Sequence, residues 1–128
     1  MTATAGTWTV VGRVEDLTAG EGRTYVVDGR QVAVFLLADG TIRATDAVCP
    51  HRGGALADGQ IDGRVVVCPL HQYAFSLTDG TRTDGTRTDH TAPVAVHPAR
   101  VRDGYFEVAP ARVTLRLFET VSAQLDAE

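Results

Sequence analysis

Short runs of β-branched and aromatic residues alternate along this chain with tight polar turns. An Asp-Gly pair between two apolar runs is a strong signal for a β-hairpin. Four such pairs occur, at residues 28–29, 39–40, 62–63 and 103–104. The runs predict strands in eight stretches: 8–11, 23–27, 31–37, 41–44, 64–67, 73–77, 93–101 and 105–108. Many short strands at this spacing, with no amphipathic helix before residue 110, predict an all-β sandwich or barrel.

Two segments depart from this pattern. Residues 78–90 contain the pentapeptide Thr-Asp-Gly-Thr-Arg twice, followed by Thr-Asp-His. The segment has no apolar side chain to bury, so we expect a solvated loop. In residues 111–128, apolar positions fit both a strand and a helical face: Val113, Leu115, Leu117, Val121 and Leu125. For this C-terminal tail we expect a strand-like start and then a short helix that packs on the domain or on a partner.

Length and composition indicate one soluble globular domain. The chain has 128 residues, of which 44% are hydrophobic and 22% charged. The N-terminal residues do not resemble a secretory signal, and no stretch approaches the roughly 18 apolar residues of a membrane span. We therefore expect a cytoplasmic protein that does not enter a membrane.

The net charge bears on the partners. All 12 basic residues are arginines, and with 16 acidic residues they give a formal net charge of −4. This balance argues against nucleic acid, whose binding needs clustered positive charge. It would suit a protein partner with a basic face, although it is also an ordinary charge for a soluble protein.

The candidate chemistry lies in two short motifs that contain the only two cysteines. They read Cys49-Pro50-His51 and Cys68-Pro69-Leu70-His71. Two thiolates and two imidazoles suit tetrahedral zinc or an iron–sulfur cluster. Zinc sites usually pair like ligands within one loop, whereas here each loop supplies one sulfur and one nitrogen. That arrangement favours a two-iron cluster with both cysteines on one iron and both histidines on the other.

Simpler interpretations of these residues are weaker. Each cysteine alone would be interpreted as a buried apolar side chain, and a disulfide is disfavoured in a cytoplasmic protein. Neither interpretation explains why both cysteines are followed by a proline and then by a histidine. The prolines after both cysteines stiffen the loops, and Gly53 and Gly54 allow the backbone to approach a cluster closely. We predict no ligand role for His90 or His97.

At these motifs the sequence resembles the Rieske family, over roughly residues 7–109. Residues 49–59 resemble the first Rieske loop, and residues 68–80 resemble the second loop with its following strand. The resemblance implies a Rieske domain at 1–110, with an antiparallel β-sheet base, a small cluster-binding subdomain at about 46–79 and a tail at 111–128. It also implies one 2Fe–2S cluster, held by Cys49, His51, Cys68 and His71, with the histidines near the surface.

The sequence resembles the soluble, ferredoxin-like members of this family. The membrane-anchored respiratory type has an additional disulfide pair and an anchor helix, and neither is present in this sequence. Tyr73 and Phe75 stand where that type carries a serine and a tyrosine hydroxyl near the sulfurs. Fewer hydrogen bonds to the cluster would leave the added electron less stabilised. We therefore predict a potential towards the low end of the Rieske range of about −150 to +300 mV.

Two soluble groups are candidates, and both are electron-transfer components that do not turn over substrate alone. Residues 8–17, the first loop and Gln72 resemble the small subunit of cytoplasmic NAD(P)H nitrite reductase, which we favour. The alternative is the ferredoxin of a ring-hydroxylating dioxygenase. Either implies a protein redox partner, a reductase or the large nitrite reductase subunit. A non-redox structural subunit is a further alternative. An autonomous oxygenase is rejected, because only His90 and His97 remain for its mononuclear iron site of two histidines and a carboxylate, and 128 residues are too few for the second domain that it needs.

Overall fold

The computed structural model describes residues 8–49, 54–69, 73–83 and 93–110. Within these residues the chain forms strands and two short 3₁₀ turns, at Val14–Asp16 and Leu56–Asp58. The strands are β1 (Thr9–Arg13), β2 (Glu21–Val27), β3 (Arg30–Leu36), β4 (Ile42–Asp46), β5 (Gln60–Asp62), β6 (Val65–Val67), β7 (Ala74–Ser76), β8 (Val96–His97), β9 (Ala99–Arg102) and β10 (Tyr105–Val108). The predicted all-β class is confirmed. No helix in this part of the chain has the length and apolarity to cross a membrane.

The strands form three antiparallel sheets, and the four-stranded one is central. Its order is β2-β3-β4-β8, and the other two sheets are β1-β10-β9 and β5-β6-β7. Residues 32–35 of β3 are all fully buried, so both faces of the central sheet are covered. Val32 and Val34 pack with Phe106 and Val108 of β10. On the opposite face, residues 33 and 35 pack with side chains of β6 and β7.

The hairpin turns explain the connectivity of these sheets. Asp28 and Gly29 join β2 to β3 with φ angles of 54° and 77°, and Val27 pairs with Arg30. The turn between β9 and β10 has the same conformation, with φ angles of 54° at Asp103 and 82° at Gly104. Two consecutive positive φ angles are the mark of the type I′ turn, whose twist matches that of its strands. The hairpin predictions at these Asp-Gly pairs are therefore confirmed.

Two details of the strand prediction are wrong. The stretch 93–101 holds two strands, one on either side of Pro98, because the chain changes sheets there: β8 pairs with β4, whereas β9 pairs with β10. Residues 60–62 form β5, which the sequence did not predict. Three residues with exposed polar ends are too short to show an alternating pattern, so this strand is specified by its pairing with β6.

The first copy of the pentapeptide is exposed at Thr78, Asp79 and Thr81, as expected for a solvated loop, but it is anchored to the domain at Gly80. Gly80 is buried in a turn after β7, where its N–H donates to the Ser76 carbonyl at 2.7 Å. Its carbonyl accepts from the N–H of Val94 at 2.9 Å. Gly80 has a φ of 82°, and a Cβ there would overlap the Val94 carbonyl oxygen. Only glycine fits, so the first copy belongs to the packed domain. The second copy from residue 84 and the tail at 111–128 lie outside the described residues.

Candidate metal centre

The two predicted cysteine ligands are brought into one apolar cluster. Cys49 lies three residues beyond the end of β4, and Cys68 follows β6 directly. The two residues are only 1% and 0% exposed, and neither forms a disulfide. They share their cluster with Leu56, Phe75 and other buried residues between the central sheet and β5-β6-β7. The structure therefore supplies two buried sulfur donors that are not used in a disulfide.

The first loop is closed by a hydrogen bond across its base. The N–H of Cys49 donates to the carbonyl of Gly54 at 2.8 Å, and Val48 and Ala55 form an antiparallel bridge just outside that bond. Beyond the bridge, the N–H of Leu56 donates to the Ala47 carbonyl at 2.9 Å. Residues 54–56 thus pair antiparallel with residues 47–49 and close the loop between them. In the sequence, His51 lies within this closed loop.

The second loop is closed by the same kind of bond. The N–H of Cys68 donates to the carbonyl of Tyr73 at 2.7 Å, at the end of the β6–β7 hairpin. In both loops the acceptor is the fifth residue after the cysteine, and a histidine lies between the two. Two segments with different sequences thus have the same closure, as expected for loops that hold one group between them.

His51 and His71 lie outside the described residues, so the histidine half of the predicted ligand set stays a prediction. No group of three or more metal-ligating side chains occurs within the described ranges. Two of the four predicted ligands fall in the gaps between these ranges, at 50–53 and 70–72. The donor chemistry fits an iron–sulfur cluster, because buried thiolates are soft ligands and the loop closures are matched.

The start of the first loop is fixed by an ion-pair network at the end of β4. Asp46 Oδ1 lies 2.8 Å from His97 Nε2 and 3.0 Å from an Arg30 guanidinium nitrogen. The His97 side chain is fully buried in this network. Burial raises the pKa of Asp46, but the hydrogen bond from His97 and the charge of Arg30 outweigh it, so the pKa lies below its ordinary value.

The sequence did not predict this network, because Arg30, Asp46 and His97 are far apart along the chain. Nothing near His97 in the sequence marks Asp46 as its partner; only the pairing of β4 with β8 brings them together. The absence of a ligand role for His97 stays a prediction. Asp46 is three residues before Cys49, so the network anchors the entry to the first loop.

A second contact supports the other loop. The guanidinium carbon of Arg82 lies 3.4 Å from the centroid of the Tyr73 ring. Tyr73 is the residue whose carbonyl closes the second loop, and both side chains are half-buried. Arg82 comes from the first copy of the pentapeptide, which was expected to be solvated. The repeat itself was the only signal in the sequence that pointed to this segment.

Comparisons with known proteins agree with this geometry. Residues 7–98 match the family model described as the Rieske [2Fe-2S] domain. The chain is 31% identical over 106 residues to the anthranilate 1,2-dioxygenase ferredoxin subunit of Burkholderia cepacia, which covers 83% of this chain and 94% of that protein.

Solved structures give the same result. A Mycobacterium tuberculosis protein proposed to be the NADH-dependent nitrite reductase small subunit is 35% identical, with a TM-score of 0.73 and coverage of 84% of this chain and 96% of that one. The carbazole 1,9a-dioxygenase ferredoxin of Nocardioides aromaticivorans is 26% identical, with a TM-score of 0.71 and coverage of 82% and 99%. Since two buried cysteines in matched loops coincide with a family match over most of the sequence, the chain belongs to the Rieske [2Fe–2S] family, as an electron-transfer domain with one 2Fe–2S cluster.

Proposed function

We propose that Cys49 and Cys68 bind one iron of the cluster and that His51 and His71 bind the other. The observation that carries this assignment is the matched closure of the loops. Each cysteine N–H donates to the fifth residue beyond it, and one histidine lies inside each closed segment. The near-complete burial of both cysteines suits the iron that is shielded from solvent.

When bound, the cluster supplies the capacity to accept and release one electron. The chain's own residues hold it in place and exclude water from its cysteine side. Leu56, Phe75 and Leu77 belong to the same buried apolar cluster as the two cysteines, and such surroundings lower the local dielectric. Phe75 is fully buried and has no hydroxyl, which supports the predicted low potential. The domain transfers electrons between protein partners and does not turn over substrate alone.

We infer that the protein is the small subunit of a cytoplasmic, nicotinamide-dependent nitrite reductase. The similarity to the Mycobacterium tuberculosis protein supports this role, at 35% identity over 84% of this chain. Gln72, which follows the second predicted histidine ligand, supports it from the sequence. The redox partner is then the large subunit of that enzyme.

A second candidate is the ferredoxin of a ring-hydroxylating dioxygenase. The 31% identity to the anthranilate dioxygenase ferredoxin, over 94% of that protein's length, favours it. The two roles differ in the partner that exchanges electrons with the domain. Mixing the reduced protein with a nitrite reductase large subunit or with a dioxygenase oxygenase component distinguishes them. Rapid reoxidation of the cluster by the oxygenase alone would contradict the nitrite reductase role.

The ligand assignment is tested by metal analysis and electron paramagnetic resonance of the dithionite-reduced protein. We expect two irons per chain and a rhombic signal with an average g of about 1.9. His51→Ala and His71→Ala should each abolish the signal, since either removes a ligand of the outer iron. His90→Ala is the matched control and should leave it unchanged.

Other outcomes would overturn the assignment. One zinc per chain with a silent spectrum would show that the loops are structural. An unchanged signal in His51→Ala or His71→Ala would show that the histidine in question is not a ligand.

A further inference from the structure

The stacked pair of Arg82 and Tyr73 is placed by the backbone rather than by chance contact on the surface. The N–H of Ser76 donates to the Thr81 carbonyl at 2.8 Å, and the N–H of Thr83 donates to the Ala74 carbonyl at 2.9 Å. Between these bonds, Arg82 pairs with Phe75 in an antiparallel bridge. Residues 81–83 thus lie along β7 as an extra edge segment.

This pairing sets the direction of the Arg82 side chain. Residues paired across an antiparallel bridge point to the same face of a sheet, and the residue two positions along lies diagonally on that face. Tyr73 is two residues before Phe75, so its ring lies diagonally beside Arg82. The result is the 3.4 Å stack of the guanidinium on the ring, a geometry that arginine forms better than lysine.

The turn before Arg82 is held by its own hydrogen bonds. Asp79 Oδ1 accepts from the N–H and the hydroxyl of Thr81, at 3.0 and 2.8 Å. Gly80 is held by its N–H bond to the Ser76 carbonyl and by the bond that its own carbonyl accepts from the Val94 N–H. The first copy of the pentapeptide therefore places a fixed positive charge against the second cysteine loop.

We propose that Arg82 is a positioning residue for the second cluster loop and that its charge stabilises the reduced state of the bound cluster. The proposal rests on the ligand assignment above. Tyr73 is two residues after His71, and its carbonyl accepts the bond from the Cys68 N–H at 2.7 Å. Holding the Tyr73 ring therefore holds the residue that closes the loop.

The charge acts on the electron transfer itself. Reduction adds one electron to the cluster, and a nearby positive charge lowers the free energy of that more negative state. Arg82 is half-buried, so solvent screens its charge less than that of a fully exposed side chain. Its presence should raise the reduction potential relative to a neutral side chain at the same position.

The duplicated pentapeptide provides a matched control. Arg82 ends the first copy and Arg87 ends the second, with identical neighbours on the N-terminal side. Arg87→Gln therefore makes the same chemical change and the same change in net charge. An effect of Arg82→Gln that Arg87→Gln does not share comes from the placement of Arg82.

The experiment is a redox titration of the cluster-loaded variants, followed by electron paramagnetic resonance, with thermal unfolding and near-ultraviolet circular dichroism on the same samples. We expect Arg82→Gln to lower the midpoint potential and to change the tyrosine dichroism. Arg82→Met should also lower the potential while its unbranched chain still packs on the ring, so it serves if Arg82→Gln fails to fold. Arg82→Lys, which keeps the charge, should retain most of the wild-type midpoint potential. Arg87→Gln should have the same midpoint potential as the wild type.

Specific results would overturn the proposal. Unchanged potentials in both neutral variants would reduce Arg82 to a structural role, whatever happens to stability. An equal shift in Arg87→Gln would show a general effect of net charge. The ligand assignment fails separately, since wild-type protein without iron would refute it before any variant is compared.

Discussion

The two cysteine loops close in the same way but are attached to the molecule differently. Each cysteine N–H reaches the fifth residue beyond it, at 2.8 Å for Cys49 and 2.7 Å for Cys68. The first loop extends from β4, a strand of the central sheet, and the Asp46 network fixes its start. The second lies at the end of the β6–β7 hairpin, which belongs to a sheet of its own.

This difference shows that one loop geometry is supported by two kinds of scaffold. A buried polar network supports the first loop, whereas backbone pairing and a stacked arginine support the second. The second scaffold uses the turn at Gly80, which the N–H of Val94 ties to the segment before β8. Substitutions in each scaffold should therefore affect its own loop before they affect the other.

The largest expected effect is that of Gly80→Ala. The added Cβ meets the Val94 carbonyl oxygen, and alanine is disfavoured at a φ of 82°. We expect a loss of about 3 kcal/mol in the free energy of unfolding, measured by urea titration. Gly85→Ala, in the second copy of the pentapeptide, should cost much less because that copy is predicted to be solvated. Equal losses in both variants would show that the first copy has no special packing role.

A smaller effect is expected in the other scaffold, from Asp46→Asn. The variant removes the charge that pairs with Arg30 and weakens the bond to the buried His97. We expect a loss of about 1–2 kcal/mol near pH 7, measured by urea titration. A stability equal to that of the wild type would show that the network does not hold the first loop.

The pH dependence sharpens this test. The pKa of Asp46 is lower in the folded protein than its ordinary value, so its contribution is complete above the unfolded value of about 3.9. This contribution of Asp46 to the free energy of unfolding is lost as the pH falls from the unfolded pKa through the lower pKa of the folded protein. The gap between wild type and Asp46→Asn should therefore shrink below about pH 4. A gap that widens in acid would contradict this sign.

The smallest effect is expected from a surface ion pair between the central sheet and the β5-β6-β7 sheet. Arg64, in the β5–β6 turn, pairs with Asp39, in the β3–β4 turn, at 2.8 Å. Both side chains are about half exposed, at 50% and 52%, and such pairs contribute little in water. Arg64→Gln should leave both the thermal midpoint and the reduction potential unchanged. A clear fall in either would mean that this ion pair couples the two scaffolds.

The sequence predicted the features that depend on local patterns. Two type I′ turns follow from the Asp-Gly pairs, and the long β2, β3 and β4 strands follow from β-branched runs. Both cysteines could be chosen as ligands because they are the only two and because each precedes a histidine. These predictions need no knowledge of distant contacts.

Two features that the sequence did not predict, the Asp46 network and the packing of the first pentapeptide copy, depend on contacts between separate segments. Asp46 and His97 are 51 positions apart and meet only through the pairing of β4 with β8. The pentapeptide lacks apolar residues, so no hydrophobic pattern marks its first copy as packed. Its order comes from hydrogen bonds at Gly80 and from the Arg82 stack, which depend on where Val94 and Tyr73 lie.

The burial of Cys49 and Cys68 has a consequence for how long a bound cluster survives. A reagent that attacks the cysteine sulfurs, in residues that are 1% and 0% exposed, reaches them only when the chain around the attacked cysteine opens locally. The rate at which a thiol-directed reagent strips the cluster from its cysteines then measures the frequency of these openings rather than the stability of the whole domain. Two chains with the same melting temperature would thus differ in durability if one loop opened more often, and the less firmly held loop would set the lifetime.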